Sequence, residues 1–300
     1  MLPFKRVTII GMGLIGSSLA RAIKADMPTV HLCVTDGDAA VRERVRELGL
    51  ADDVADHCGA AVVDAELVVL AVPVGAMGAV AAEFASELAP GVIVTDVGSV
   101  KAKVLADLKA ALPEGVDIVP GHPVAGTEKS GPDAGFASLF KGRWCILTPE
   151  TPGPASEKLA AFWTRLGAKV ELMDAAHHDR VLAVTSHLPH LIAYSIVGTA
   201  SDLETVTRSE VIKYSAGGFR DFTRIAASDP VMWRDVFLNN REAVLEILGR
   251  FTEDLVALQR AIRWGDGEAL ETLFTRTRAI RRSIVDEGQD TDTPDFGRPH

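Results

Sequence analysis

Val7-Thr8-Ile9-Ile10-Gly11-Met12-Gly13-Leu14-Ile15-Gly16 is the stretch on which the fold turns. A short β-branched run ends in glycines at G-x-G-x-x-G spacing, and Leu14 to Lys24 then carries a helical apolar period. Gly11 permits a tight turn after the strand, Gly13 lets the main chain approach a pyrophosphate, and Gly16 lets helix and strand pack closely. The helix start at Leu14 and Ile15 offers free N–H groups and a positive dipole end to phosphate oxygens. Such a turn can also be purely structural, but here it has the strand–turn–helix context of a dinucleotide site. Val30 to Thr35 predicts a second strand, and Asp36 closes it about 20 residues beyond Gly16. A carboxylate there accepts ribose hydroxyls and repels a 2′-phosphate, and Gly37 and Asp38 follow it with no Arg. The expected cofactor is therefore NAD in preference to NADP; the competing use of Asp36 is to cap the next helix.

Outward from this motif, strand and helix patterns alternate. Leu67 to Val72, Val92 to Asp96 and Asp117 to Pro120 predict further strands; Ala39 to Leu48, the alanine-rich run to Leu88, and Val100 to Ala111 predict helices. Gly121 to Lys141 has no period and predicts a long functional loop. Arg143 to Leu147 and Ala168 to Leu172 predict late strands around the helix Ala155 to Leu166. Near Asp174 the texture turns helical, with one long helical segment expected from Pro230 to Trp264. The fold class is α/β: a Rossmann-type, doubly wound, mostly parallel sheet over 1–173, an all-helical C-terminal domain over 174–286, and an acidic tail over 287–300. Ligands lie outside the carboxyl ends of such strands, which singles out Val72, Pro73 and Ser99. Ser99 can also serve as a helix N-cap.

The chain has 300 residues and a formal net charge of −10, with 47% hydrophobic and 24% charged residues. That is globular composition, and the acidic balance argues against nucleic acid or an anionic membrane as partner. An anionic small ligand stays open, because a local site can be positive on an acidic protein. Cys33, Cys58 and Cys145 form no CxxC pair, which points to a reducing, cytoplasmic setting without a structural zinc. No signal peptide is expected in MLPFKRVTIIGMG, and the apolar stretch Leu67 to Ala82 is broken by Pro73, Gly75 and Gly78.

Three groups of residues suggest chemistry. His122 lies in the loop after a sheet strand, with a side chain suited to general-base work, although a lone His is more often structural. His187 and His190 are three apart on one predicted helix face around Pro189; a metal pair there would need ligands that only His177 and His178 could add. Arg220 or Arg224, in Gly217-Gly218-Phe219-Arg220-Asp221-Phe222-Thr223-Arg224, could hold an anionic substrate, against the ordinary role of a solvated surface Arg.

Taken together, GMGLIGSSLA from Gly11, Asp96-Val97-Gly98-Ser99-Val100-Lys101, GHPVAGTEKSGP from Gly121, TSHLPH from Thr185 and GGFRDFTRIAASDPVMW from Gly217 resemble the prephenate/arogenate (cyclohexadienyl) dehydrogenase family. The resemblance implies NAD-dependent oxidative decarboxylation of prephenate or arogenate in tyrosine biosynthesis. It also implies that His122 is the base, that Ser99 orients it and the nicotinamide, and that Arg224 binds a substrate carboxylate. His187, His190, Thr127, Glu128 and Trp233 would line the pocket, with Trp233 closing it or serving as a core residue. A homodimer through the helical domain is the implied assembly, and no chorismate mutase or ACT-like segment is expected. Two rivals remain. A β-hydroxyacid dehydrogenase-like reductase would place a Lys in the first helix of its second domain, where Asp179 to Tyr194 has none. A non-catalytic dinucleotide sensor would have no use for the histidines and Arg224.

Overall fold

The computed structural model describes residues 2–127, 129–202 and 217–286. Its first half is built on β1 (Arg6–Ile10), α1 (Leu14–Asp26), β2 (His31–Thr35), α2 (Ala39–Glu47), β3 (Asp53–Val54), α3 (Cys58–Ala61), β4 (Leu67–Leu70), α4 (Met77–Phe84), β5 (Ile93–Asp96), α5 (Ala102–Ala111) and β6 (Asp117–Ile118). The six strands lie in the order β3-β2-β1-β4-β5-β6, every pair parallel. This is the doubly wound dinucleotide-binding order, and its direction reverses between β1 and β4. Strands covered on both faces read as continuous apolar runs, which is why β1 and β4 lack polar alternation. Val7, Ile9, Leu67 and Val69 pack with α1 and α6 (Pro154–Arg165) into one core, where Leu19, Ile23, Phe162 and Trp163 are buried. Ile10, Val68 and Leu70 face the second core, beside α4, α5 and Trp233.

The late strands form a separate sheet. β7 (Gly121–Pro123) pairs antiparallel with β8 (Trp144–Leu147), which pairs parallel with β9 (Lys169–Leu172). This corrects two expectations. Gly121 to Lys141 is not all loop, since its first three residues are a strand with His122 opposite Ile146. A three-residue strand made of Gly, His and Pro has too few side chains to show a period, so only its pairing defines it. The expected strand Asp117 to Pro120 is likewise only Asp117–Ile118.

Beyond β9 come α7 (Ala175–Leu182), a π-helical turn (Ala183–His187) and α8 (Leu188–Asp202). The run Ala175–Asp202 is long and apolar enough to cross a membrane by composition, with a mean hydropathy of 1.4. It nevertheless carries His178, Asp179 and His187, which are buried and hydrogen-bonded within the fold. The predicted helix from Pro230 to Trp264 is two helices, Pro230–Asn239 and Arg241–Trp264. Asn240 breaks it with φ −110° and ψ 34°, and its buried amide donates to the Asp179 carbonyl at 2.9 Å. Contacts divide the chain into two compact units, Met1–Val244 and Leu245–His300. The first therefore runs well past the change of texture at Asp174, because Asp179 and Asn240 bond back into it. The second holds the rest of Arg241–Trp264 and the helix Gly267–Asp286. The expected tail over 287–300 lies outside the described residues, as does Glu128.

Candidate active site

At the switch point the glycine turn behaves as its spacing predicts. Gly11 has φ +99°, and a Cβ there would lie 2.5 Å from the Ala71 carbonyl oxygen. A Cβ on Gly16 would lie 1.9 Å from the Gly11 carbonyl oxygen, so helix and turn meet without side chains between them. Open space surrounds the equivalent point at Gly13, which begins α1 with no side-chain cap on its N–H groups. Leu14 and Ile15 open the helix half-buried, and Val72 packs beside Gly11 with Pro73 exposed beyond it. Asp36 does not cap α2; Asp38 does, accepting from the Ala40 N–H at 2.8 Å. The Asp36 carboxylate instead accepts from the N–H of Met12 at 2.7 Å and of Asp38 at 2.9 Å. It therefore stands at the rim of the glycine turn, where ribose hydroxyls fall when phosphates sit on α1. The side chain of Arg42 is turned onto the Asp36 carbonyl at 2.7 Å. An uncapped helix start, a clear glycine turn and a carboxylate at its rim fit NAD.

The carboxyl ends of β5 and β6 carry a buried polar cluster. Asp96 ends β5, and its carboxylate pairs with the fully buried Lys101 ammonium and accepts from the Gly98 N–H at 2.7 Å. Lys101 Nζ also donates to the Gly121 carbonyl at 2.6 Å, pinning the residue before His122. Burial pushes the Asp96 carboxyl up and the Lys101 ammonium down, each opposed by the partner's charge. On β7, His122 Nδ1 lies 2.9 Å from His178 Nε2, and His178 Nδ1 lies 2.8 Å from Asp179 Oδ1. The Asp179 carboxylate accepts the N–H of Lys101 at 2.8 Å and of Ala102 at 2.9 Å, capping α5 from another part of the chain. Ser99 is not the N-cap that its sequence position allowed, since Lys101 holds that place; it lies half-buried before the helix, with its main chain beside His187.

The π-helical turn carries the fully buried His187, whose Nδ1 lies 3.0 Å from Asn240 Nδ2. Single π turns often mark functional sites, where they re-aim a side chain. Burial pushes the imidazole of His187 down to about 4. His190 stacks on Trp233 with ring centroids 3.6 Å apart, and His187 meets the same indole edge-on at 6.1 Å. Trp233 is both things the sequence allowed, a core residue and a wall of the histidine cluster. Burial lowers His190, and the positive charge of Arg224 acts on it in the same direction. Arg224, exposed at the start of the 3₁₀ turn Arg224–Ala227, thus lies within electrostatic range of His190. Arg220 is exposed and pairs with Asp221 at 3.1 Å. Thr127 is exposed and receives the Lys129 N–H at 3.2 Å; no described contact joins it to the histidines.

The structure therefore brings together His122, Ser99, His187, His190, Trp233 and Arg224. Sequence reasoning missed the roles of Asp96, Lys101, His178, Asp179 and Asn240. The Asp96-to-Lys101 stretch was a usable signal, since a strand-end Asp five residues before a Lys can form an ion pair. The adjacent His178 and Asp179 gave none.

Comparison with known proteins shows the family. Residues 19–172 match the family model for the prephenate dehydrogenase nucleotide-binding domain, and residues 174–276 match that for its dimerization domain. The chain is 48% identical to the cyclohexadienyl dehydrogenase of Zymomonas mobilis, covering 95% of this chain and 97% of that one. It is 34% identical to the prephenate dehydrogenase of Bacillus subtilis over 93% of this chain and 76% of the relative. The crystal structure of Aquifex aeolicus prephenate dehydrogenase with hydroxyphenyl propionate and NAD+ superposes with a TM-score of 0.84 at 35% identity, covering 93% and 98% of the two chains. This chain belongs to the prephenate dehydrogenase family and is an oxidoreductase of that kind.

Proposed function

We propose that this enzyme oxidatively decarboxylates a cyclohexadienyl carboxylate, prephenate or arogenate, at the carboxyl ends of β5 and β6. The observation that carries the reading is His122, tied at Nδ1 into a buried polar chain beside the nucleotide crevice. NAD+, when bound in that crevice, accepts the hydride that leaves ring carbon C4. His122 takes the proton of the C4 hydroxyl at Nε2 as the C–O bond becomes a carbonyl. The bond from C1 to its carboxylate then breaks, carbon dioxide leaves, and the electron pair runs through the ring to the C4 oxygen, which takes its proton back from His122 as the ring becomes aromatic.

Burial holds His122 well below the ordinary imidazole range, with the positive charge of Lys101 assisting, so the ring rests neutral and able to accept. Arg224 supplies the fork for a substrate carboxylate, and His187, His190 and Trp233 form the wall beside it, with Thr127 in the loop beyond. Trp233 Nε1 is buried without a hydrogen-bond partner among the described residues, and it suits a polar ligand at this wall. Ser99 stands at the nicotinamide end. Absorbance at 340 nm should rise when the protein is mixed with NAD+ and prephenate or arogenate. No rise with either substrate would refute the reading.

The same reading makes the enzyme a cytoplasmic homodimer. Leu255, Ile262, Trp264, Phe274 and Ile280 are exposed in the unit Leu245–His300, an apolar surface of the kind that marks an interface. Sedimentation should give twice the 32.0 kDa chain mass, and paired Leu255→Asp and Ile280→Asp changes should halve it.

A further inference from the structure

Behind His122 the fold buries two groups to which neither the family resemblance nor the sequence reading gave a role. His178 is wholly buried, whereas His122 keeps 8% exposure, so His122 is the ring that a ligand can meet. Proton positions along the chain follow from counting donors. An ionised carboxylate only accepts, and that of Asp179 already takes the N–H groups of Lys101 and Ala102. The hydrogen between Asp179 and His178 therefore sits on His178 Nδ1. A neutral imidazole has one N–H, so His178 Nε2 is a lone pair. The hydrogen between the two rings must then sit on His122 Nδ1, which leaves His122 Nε2 unprotonated. Both rings are held neutral: burial lowers each first, and Lys101 acts on both in the same direction. The charged and titratable groups facing the pair are Lys101, Asp96, Asp179 and His187.

We infer that His178 and Asp179 are positioning residues that lock His122 in the tautomer whose Nε2 can receive the substrate hydroxyl proton. The inference rests on His122 being the base. In the step, one proton moves from the hydroxyl oxygen to His122 Nε2. The Nδ1 hydrogen stays in place, and its bond to His178 becomes charge-assisted. The Asp179 carboxylate, one ring further back, stabilises the new cation. When the ring aromatises, the same proton returns from Nε2 to the oxygen, and His122 ends neutral in its starting tautomer.

Asp179→Asn tests the lock. Oδ1 takes both the Lys101 N–H and the His178 hydrogen and Oδ2 takes the Ala102 N–H, so an amide cannot serve all three donors. In either orientation the negative charge behind His178 is gone, and with it the stabilisation of a protonated His122. The expected result is a fall in kcat of about 10² to 10⁴, the usual worth of a general base. NAD+ affinity should be unchanged. Histidine ¹⁵N spectra of the wild-type NAD+ complex should show the neutral His122 hydrogen on Nδ1.

His178→Gln, whose amide oxygen can accept from His122 Nδ1, should stay within about tenfold of wild-type kcat, while His178→Ala should lose about as much as Asp179→Asn. A wild-type spectrum with the hydrogen on His122 Nε2 would overturn the inference. So would equal losses in His178→Gln and His178→Ala, a contrast that stands even if Asp179→Asn fails to fold. His122→Asn separates the two layers. If it loses kcat while Asp179→Asn does not, the lock alone fails; if it keeps kcat, the base reading fails and takes the lock with it.

Discussion

His122, His178, His187 and His190 gather in one cluster, each held below the ordinary imidazole range chiefly by burial. At His122 this has a kinetic consequence. A base that is hard to protonate should keep kcat/KM level as the pH falls through 6.5, where an exposed histidine would already be losing activity. On the proposed reading, Arg224 serves binding. Arg224→Ala should raise KM for the substrate, with a loss of about 2 to 5 kcal/mol if the carboxylate pair is desolvated, and should leave the NAD+ dissociation constant alone. An unchanged KM would remove Arg224 from the site. His122, His187, His190 and Arg224 were legible in the sequence because each stands in a stretch with an unusual run of glycine, proline or aromatic neighbours. Lys101 was not, since a lysine at the start of a helix normally lies in solvent, and only its ion pair with Asp96 makes full burial tolerable.

At the scale of elements, the glycine turn and α1 form the most constrained junction. Gly16→Ala would place a methyl carbon 1.9 Å from the Gly11 carbonyl oxygen, a main-chain atom that cannot rotate away. The helix start must lift off the turn, at a cost of about 1 to 3 kcal/mol from overpacking. The displaced N–H groups should weaken NAD+ binding by about tenfold or more. Urea unfolding and a cofactor titration read the two effects separately. Local pattern revealed β1, β2, β4 and β5 because the sheet is covered on both faces and these strands are largely apolar, but it missed the two-residue β3, which begins with Asp53. It could not reveal β7, which exists only by pairing with β8, nor the break at Asn240, where an amide satisfies groups distant in sequence. The π-helical turn escaped for a related reason. One extra residue in a helix leaves the apolar pattern nearly intact while rotating His187 inward.

For the whole molecule, the buried histidines set the acid limit. Their native pKa values lie below the unfolded value near 6.5, so as pH falls the unfolded chain takes up protons that the folded chain refuses. Stability should be level above pH 6.5 and should fall between 6.5 and about 4, the native value for His187. That residue alone accounts for about 3 kcal/mol across the window, at 1.36 kcal/mol for each pH unit. Urea midpoints measured at pH 7.5 and 4.5 should differ accordingly, and equal midpoints would show that the cluster opens to water. Asp179 has a wider consequence. Its carboxylate, on a helix matched by the dimerization-domain model, caps a helix matched by the nucleotide-binding model. The two regions are therefore not interchangeable cassettes. A hybrid enzyme joined at residue 173 to a relative's helical half would keep its turnover only if the incoming half brought a carboxylate to that same helix end.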